Sequence, residues 1–114
     1  MSKLALVAEK LDGVIINAGD AKREIEGGYV GDLLSFAVGR ATSGCAWFTV
    51  MNNENVCAVA TLADVGTIVL CEGVKPSEQM LRKAKEHNVN IIGTESTVFD
   101  AVKLYSRTMK TERN

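Results

Sequence analysis

The stretch from Ala46 to Cys71, AWFTVMNNENVCAVATLADVGTIVLC, predicts one complete strand–helix–strand unit. Its first five residues, AWFTV, and its last five, TIVLC, are continuous runs rich in apolar residues, which is typical of strands that are buried on both faces of a sheet. Between them, Asn55 can cap a helix that has apolar residues at helical spacing from Val56 to Ala63. We therefore expect two parallel strands that are joined through a helix.

The same alternation continues toward the end of the chain. After Glu72-Gly73 ends the second strand, Pro76 suits the first turn of another helix. A third strand is predicted over residues 89–92, and a last helix begins near Val98. This alternation indicates a mainly parallel sheet that is flanked by helices in an α/β fold.

The N-terminal third is less regular. Apolar residues at helical spacing predict a short helix that opens the chain, and the β-branched run VII (residues 14–16) predicts a buried strand. The charged residues 21–26 predict a loop or a short edge strand around Ile25. The run GGYVGDLLS (residues 27–35) predicts a glycine-rich turn that leads directly into an amphipathic helix over Leu33–Ala41.

Composition is that of an ordinary globular protein. Hydrophobic residues make up 46% and charged residues 24%, so disorder is not expected. The 13 Lys and Arg residues against 14 Asp and Glu leave a net charge of −1, whereas nucleic-acid binders show a basic excess. No run approaches the roughly 18 apolar residues of a membrane span, and the N-terminus lacks the apolar core of a signal peptide. We expect a cytoplasmic protein with no nucleic-acid or membrane partner.

The length of 114 residues suits one domain. We expect it to cover residues 1–106, followed by a flexible tail over residues 107–114. Cys45, Cys57 and Cys71 are odd in number, widely spaced and embedded in apolar runs, which favours buried hydrophobic roles. Metal and iron–sulfur sites need closer cysteine pairs, so no metal and no cofactor are predicted.

Several runs resemble those of short, stand-alone DRTGG-domain proteins. They are GGYVGDLLS (27–35), AWFTV (46–50), NVCAVA (55–60), EGVKPSE (72–78), IIGT (91–94) and STVF (96–99). The resemblance extends over residues 3–106 and implies a fold like the N-terminal domain of bacterial HPr kinase/phosphorylase. It also implies a dimeric regulatory or accessory module without enzymatic activity of its own, of the kind that lies beside CBS domains in some pyrophosphatases.

Two segments depart from the family pattern. Asn52-Asn53-Glu54 replaces the Asp-Arg-Thr set before a helix, and Cys71-Glu72-Gly73 retains only the second residue of the Gly-Gly pair that follows a strand. The histidine that stand-alone relatives often carry near Asn53 is absent. Chemistry that the family assigns to those groups is therefore in doubt for this chain.

The glycine run is the first candidate ligand site. Gly27, Gly28 and Gly31 would let a phosphate or carboxylate approach the backbone N–H groups at the start of the helix. Asp32, however, is itself an anion placed to cap that helix, and its charge would repel a phosphate. Because the run also lacks both common phosphate-binding glycine motifs, a structural corner is favoured over a ligand site.

The second candidate is a crevice at the carboxyl ends of the parallel strands. Ligands in open parallel sheets bind at this edge, at the point where the strand order reverses. The polar residues and glycine that could line one pocket there are Asn52, Asn53, Glu54, Asn55, Glu72, Gly73, Thr94, Glu95 and Ser96. Each could instead serve the fold alone, by capping a helix or turning the chain.

Three functions are consistent with these patterns. The leading hypothesis is a non-catalytic regulatory or accessory domain that dimerises and binds a small anionic or nucleotide-like ligand at the strand-end crevice. The alternative is a ligand-free interaction subunit for a redox or kinase-type enzyme. The third is a small phosphate-ester hydrolase or transferase that uses Asp32 or Glu72, although general acid–base catalysis needs a second positioned group that spacing does not reveal.

Overall fold

The structure, a computed structural model, describes residues 2–113, with the side chains of residues 2–107. Helices and strands mostly alternate along the chain. The helices are α1 (Leu4–Lys10), α2 (Leu34–Arg40), α3 (Glu54–Leu62), α4 (Glu78–His87) and α5 (Val98–Arg113). The strands are β1 (Val14–Asn17), β2 (Gly28–Val30), β3 (Ala46–Thr49), β4 (Thr67–Leu70) and β5 (Ile91–Gly93).

The strands form one sheet in the order β1-β5-β4-β3-β2. The last four of these run parallel to one another, and β1 pairs antiparallel with β5 at one edge. The register places Trp47 of β3 between Tyr29 of β2 and Ile68 of β4. The expected fold class, one α/β domain with a mainly parallel sheet flanked by helices, is confirmed.

Two separate cores lie on the two faces of the sheet, and successive strand residues enter them in alternation. Phe48, Val69 and Ile92 face α1 and α5, whereas Trp47 and Ile68 face α2, α3 and α4. All five side chains are fully buried. Burial on both faces is the reason that β3 and β4 are continuous apolar runs rather than alternating ones.

The three cysteines are buried and form no disulfide, as their apolar surroundings in the sequence predict. Burial raises the pKa of the Cys57 thiol to about 11. Burial, together with the negative charges of Glu72 and Asp32, also raises the pKa of Cys71 to about 11. These two side chains are therefore neutral thiols at physiological pH and contribute as small apolar groups.

The glycine run does not have the predicted conformation. Its central residues, Gly28–Val30, form the strand β2, so the turn does not lead directly into a helix, and α2 begins only at Leu34. Of the glycines in the run, Gly27 alone has a positive φ, 75°. Glycine has a low propensity for strands, but the pairing with β3 outweighs it. Because β3 is distant in sequence, no local pattern predicts this pairing.

The last helix, α5, continues to Arg113 and so extends past residue 106, where we expected the domain to end. The flexibility expected of residues 107–114 stays a prediction, and Asn114 lies outside the described residues. Within residues 2–113, no helix combines the length and the apolar character that crossing a membrane requires.

Candidate functional site

The carboxyl ends of the four parallel strands lie at one edge of the sheet. Each strand continues there into a loop that leads to a helix, so the four loops lie side by side. The predicted site residues that belong to this edge are Gly31, Asp32, Asn52, Asn53, Glu54, Asn55, Glu72, Gly73, Thr94, Glu95 and Ser96. The other two, Gly27 and Gly28, lie at the opposite end of β2 and do not join them.

Gly27 and Gly28 pack toward α5. The carbonyl oxygen of Gly27 accepts a hydrogen bond from the Tyr105 hydroxyl at 2.7 Å. A Cβ added to Gly28 would lie 3.7 Å from the rings of both Phe48 and Tyr105. A phosphate held by these two glycines would therefore not meet the free N–H groups at the start of α2, on which the phosphate interpretation depended.

The Asp32 carboxylate joins the ends of β2 and β3. Its Oδ1 atom accepts hydrogen bonds from Thr49 Oγ1 at 2.6 Å and from the backbone N–H of Val50 at 3.0 Å. Trp47 Nε1 donates to the carbonyl oxygen of Gly31 at 3.0 Å and closes the same corner. The expected capping of α2 by Asp32 is wrong, since this helix begins without a side-chain cap. The geometry is that of a structural corner.

Asn53, rather than Asn55, caps α3. Its Oδ1 atom accepts a hydrogen bond from the backbone N–H of Asn55 at 2.9 Å. The neighbouring Asn52 connects this loop to the loop after β4: its Nδ2 donates to the carbonyl of Lys75 at 2.8 Å, and its own carbonyl accepts from the N–H of Ser77 at 3.1 Å. The sequence did not single out Asn52 for this role, because its partners lie in another loop.

Glu72 and Gly73 form a tight turn after β4. Both have left-handed backbone, with φ of 59° and 72°, and the N–H of Val74 donates to the carbonyl of Cys71 across the turn at 3.2 Å. Positive φ at both central positions is the signature of a type I′ turn. A Cβ added at position 73 would come within 2.9 Å of Glu95 Oε1, but this exposed carboxylate can move away, so the positive φ is the main reason for glycine there.

This turn is hydrogen-bonded to the loop after β5. The N–H of Glu72 donates to the carbonyl of Ser96 at 2.8 Å, and that of Gly73 to the carbonyl of Thr94 at 2.9 Å. The Thr94 hydroxyl oxygen accepts from the N–H of Ser96 at 3.2 Å and donates to the carbonyl of Leu11 at 3.4 Å. The four predicted residues do come together, but these backbone donors are already paired within the protein and are not offered to an anion.

A cavity of about 380 Å³ lies beside these loops, at the antiparallel edge of the sheet, and we call it the β1–α4 cavity. Its apolar walls come from β1 and from α4 with its preceding loop, and consist of Val14, Ile16, Pro76 and Leu81. Its polar lining consists of Asp12, Lys75, Thr94 and Glu95. The volume is in the range of small-molecule sites. Of the residues predicted to line a pocket at this edge, Thr94 and Glu95 line the cavity.

The remaining lining residues escaped prediction for two reasons. Val14 of β1 pairs with Gly93 of the neighbouring strand β5, and no local pattern near either residue predicts a partner so distant in sequence. Lys75, by contrast, lies inside one of the loops that the sequence did indicate. A test of the basic residues in those loops, besides their carboxylates, hydroxyls and glycines, could have found it.

The charges beside the cavity are accessible to solvent. Lys75 Nζ lies 3.8 Å from Glu95 Oε2, and the two side chains are 78% and 86% exposed, so their ion pair is weak and easily opened. A shallower groove of about 460 Å³ continues along α4 past Arg82 and Lys85. Within the described part of the chain, no cluster of three or more His, Cys, Asp or Glu side chains could hold a metal ion.

Comparison with known proteins identifies the family. The model of the DRTGG domain matches residues 6–108. The chain belongs to the DRTGG-domain family. A similar solved structure contains the CBS and DRTGG domains of the regulatory region of Clostridium perfringens pyrophosphatase, complexed with the activator diadenosine tetraphosphate. It has a TM-score of 0.76 at 18% identity, and the match covers 90% of this chain and 45% of that one. No curated protein matches the chain.

The structure also explains how this DRTGG domain tolerates its departure from the Gly-Gly pair. Glu72 stands where the resemblance places the first glycine, and it adopts the left-handed conformation that a glycine would take without strain. The turn therefore keeps its geometry. The substitution adds an exposed carboxylate at the strand-end edge of the sheet.

Proposed function

We propose that this DRTGG domain is a non-catalytic regulatory or accessory domain that dimerises and binds a small anionic or nucleotide-like ligand at the strand-end crevice. The observation that carries the proposal is the β1–α4 cavity, about 380 Å³ in volume, which opens beside the carboxyl end of β5. A similar fold occurs in a pyrophosphatase regulatory region that was solved with a nucleotide activator. That likeness supports a regulatory role for this chain.

The lining of the cavity suits a ligand that combines a flat apolar ring with a negative charge. The walls from β1 and α4 offer apolar surface to a ring, and the ammonium group of Lys75 offers a positive charge to a phosphate. The carboxylates of Asp12 and Glu95 oppose such a ligand by their charge, and Glu95 also pairs with Lys75. Because the Lys75 and Glu95 side chains are largely exposed, the Glu95 carboxylate can move away when a phosphate arrives.

Charge-altering variants test this proposal directly. Binding of AMP, ATP, diadenosine tetraphosphate and inorganic phosphate is measured by calorimetry for the wild type, Lys75→Met and Glu95→Gln. Because exposed charges contribute about 0.2–1 kcal/mol each, we expect about 2–5-fold weaker binding for Lys75→Met and a similar gain for Glu95→Gln. Lys22→Met removes an exposed lysine between β1 and β2 and serves as the matched control.

Two results of these binding measurements would contradict the proposal. A saturating ligand at about 100 times its dissociation constant adds about 2.7 kcal/mol to the free energy of unfolding, which a thermal scan detects. Failure of all four compounds to bind or to stabilise the wild type would overturn the ligand part of the proposal. Equal affinities of the three proteins for a bound nucleotide would place the ligand elsewhere.

The geometry of Asp32 supports a non-catalytic domain. Its carboxylate oxygen is held by hydrogen bonds from Thr49 and Val50 that connect two strands, which is a structural task. The hydrolase hypothesis needed this carboxylate or that of Glu72 to act on a substrate, together with a second positioned group. Asp32 is instead oriented toward the end of β3.

The ligand-free interaction subunit remains the second candidate, because one observation favours it. Val30, Leu33 and Phe36 around β2 and α2 are 50%, 52% and 45% exposed, and a partner enzyme could cover them. Co-purification of a single enzyme in constant stoichiometry, with no binding of the four compounds above, would support this candidate over the first.

A further inference from the structure

We propose that two copies of this chain associate through β2, which pairs antiparallel with β2 of the second copy and extends the sheet from five strands to ten. The inference rests on the homodimer of the proposed function. It adds the edge through which the dimer forms and the register of the two strands.

The strand β2 is an open edge of the sheet. The carbonyl of Gly27 and the N–H of Gly31 bond to β3, so the alternation of a strand directs the backbone groups of Gly28 and Val30 away from it. The segment 27–31 contains no charged residue and no proline, which are two of the features that keep an open edge from pairing with another chain; a third, a short strand, is present, since β2 has three residues.

Exposed apolar side chains are frequent in the segment that forms this edge and continues into α2, although Phe36 and Val38 lie on different sides of that helix. Val30, Leu33, Phe36 and Val38 are 50%, 52%, 45% and 43% exposed. Half of the eight large hydrophobic side chains that are exposed in the described part of the chain thus lie within the segment 30–38. Clustered exposed apolar residues mark protein interaction sites, whereas scattered ones need no explanation.

The residues of β2 allow an antiparallel register in which the two copies complement each other. With a two-fold axis at Tyr29, Val30 of each copy lies opposite Gly28 of the other, and each such pair can exchange two backbone hydrogen bonds. The Val30 and Gly28 positions face the same side of the sheet. The space beside Gly28 is bordered by the rings of Phe48 and Tyr105, each 3.7 Å from the position of a Cβ. In this register the Val30 side chain of the second copy fills that space.

The charges near the edge also permit contact between identical copies. The Asp32 carboxylate is turned toward β3 by its hydrogen bonds, and the Arg40 guanidinium lies over the Phe36 ring at 4.0 Å from its centroid. In an isologous contact residue i meets residue j and residue j meets residue i. In this register only Tyr29 meets its own counterpart, the segment 27–31 at the centre is uncharged, and Glu26 meets Asp32 of the second copy just outside it. The net charge of −1 keeps long-range repulsion between copies small.

Sedimentation of two edge variants tests the interface. Val30→Lys places a charge at the proposed contact, whereas Val14→Lys places the same charge at the opposite edge, where Val14 is 69% exposed. We expect Val30→Lys to weaken dimerisation about 100-fold, because the buried contact is lost twice by symmetry. Val14→Lys should leave the dissociation constant within about twofold of the wild type. Circular dichroism verifies that both variants fold.

Hydrogen exchange on the wild type tests the register without any substitution. The amides of Gly28 and Val30 face outward in a single copy and should exchange quickly in dilute protein. Both should become protected as the concentration rises and the dimer forms, in proportion to the dimer fraction. The amides of β1 should keep the same exchange rates throughout.

The outcomes separate this interface from the homodimer itself. A wild-type chain that stays monomeric into the millimolar range would overturn both. A wild-type dimer that Val30→Lys leaves intact, or that Val14→Lys dissociates, would overturn the β2 interface and leave the homodimer standing. Unchanged exchange of the Gly28 and Val30 amides on dimerisation would likewise exclude strand pairing through this edge.

Discussion

Replacement of Glu72 by glycine should stabilise the domain. Glu72 has a φ of 59°, and the left-handed conformation costs an L-residue about 1–2 kcal/mol. Glycine avoids this strain but gives the unfolded chain more freedom, which lowers the free energy of unfolding by about 0.4–1 kcal/mol. The expected net gain is about 0.5–1 kcal/mol, because the relief of strain is the larger effect.

Two further substitutions test how left-handed backbone conformation affects the stability of the domain. Asn88 at the end of α4 has a φ of 57°, but asparagine tolerates this conformation better than glutamate does, so Asn88→Gly should change stability by less than about 0.5 kcal/mol. Gly73→Ala should destabilise by about 2 kcal/mol, since it introduces left-handed strain. It also brings a Cβ within 2.9 Å of Glu95 Oε1.

Urea denaturation followed by circular dichroism measures all three changes, provided that the slope m is the same in each variant. A lower stability of Glu72→Gly would refute the reasoning, because the side chain would then contribute more than its backbone conformation costs. The same variant informs the site. Weaker binding of a nucleotide by Glu72→Gly, at unimpaired stability, would assign the carboxylate to ligand binding.

Two other predictions concern exposed carboxylates. Asp32→Ala should lower the free energy of unfolding by about 1–2 kcal/mol, because Thr49 and Val50 lose a charged acceptor that water replaces only in part; a loss below about 0.5 kcal/mol in urea denaturation would contradict the structural role. Hydrogen bonds from Arg23 and Ser43 lower the pKa of Asp64 in the folded protein to about 2. As the pH falls, the Asp64 carboxylate of the unfolded chain therefore binds a proton before that of the folded chain does. The Arg23–Asp64 pair should therefore stabilise the fold above about pH 4, and this contribution should be lost toward pH 2. It is below about 1 kcal/mol because the pair is exposed. Asp64→Asn should be less stable than the wild type at pH 7 and equally stable near pH 2. A difference in the free energy of unfolding that is the same at both pH values would contradict this prediction.

The α/β architecture could be predicted because its signals are local. Each central strand, such as 67–70, is a continuous apolar run whose two faces enter different cores, and apolar residues at helical spacing lie between the strands. The family also follows from short runs such as GGYVGDLLS, and the match to the DRTGG domain over residues 6–108 confirms it.

The details of the candidate site could not be predicted in the same way. Asp32 resembles a helix cap in sequence, yet its carboxylate accepts hydrogen bonds from Thr49 and Val50, which lie beyond α2 in the chain. Asn53 and Asn55 differ by two positions, and only the backbone of the folded loop decides which of them caps α3.

The sequence by itself therefore determined the type of the main elements, the burial of the cysteines and the family, because periodicity, β-branching and short motifs are properties of neighbouring residues. The tertiary structure decided that the glycine run contains an edge strand, that β1 reverses direction beside β5, and that a cavity opens between β1 and α4. Each of these depends on pairing between segments far apart in the chain. Such pairing is selected by the energy of the whole sheet and leaves no local pattern.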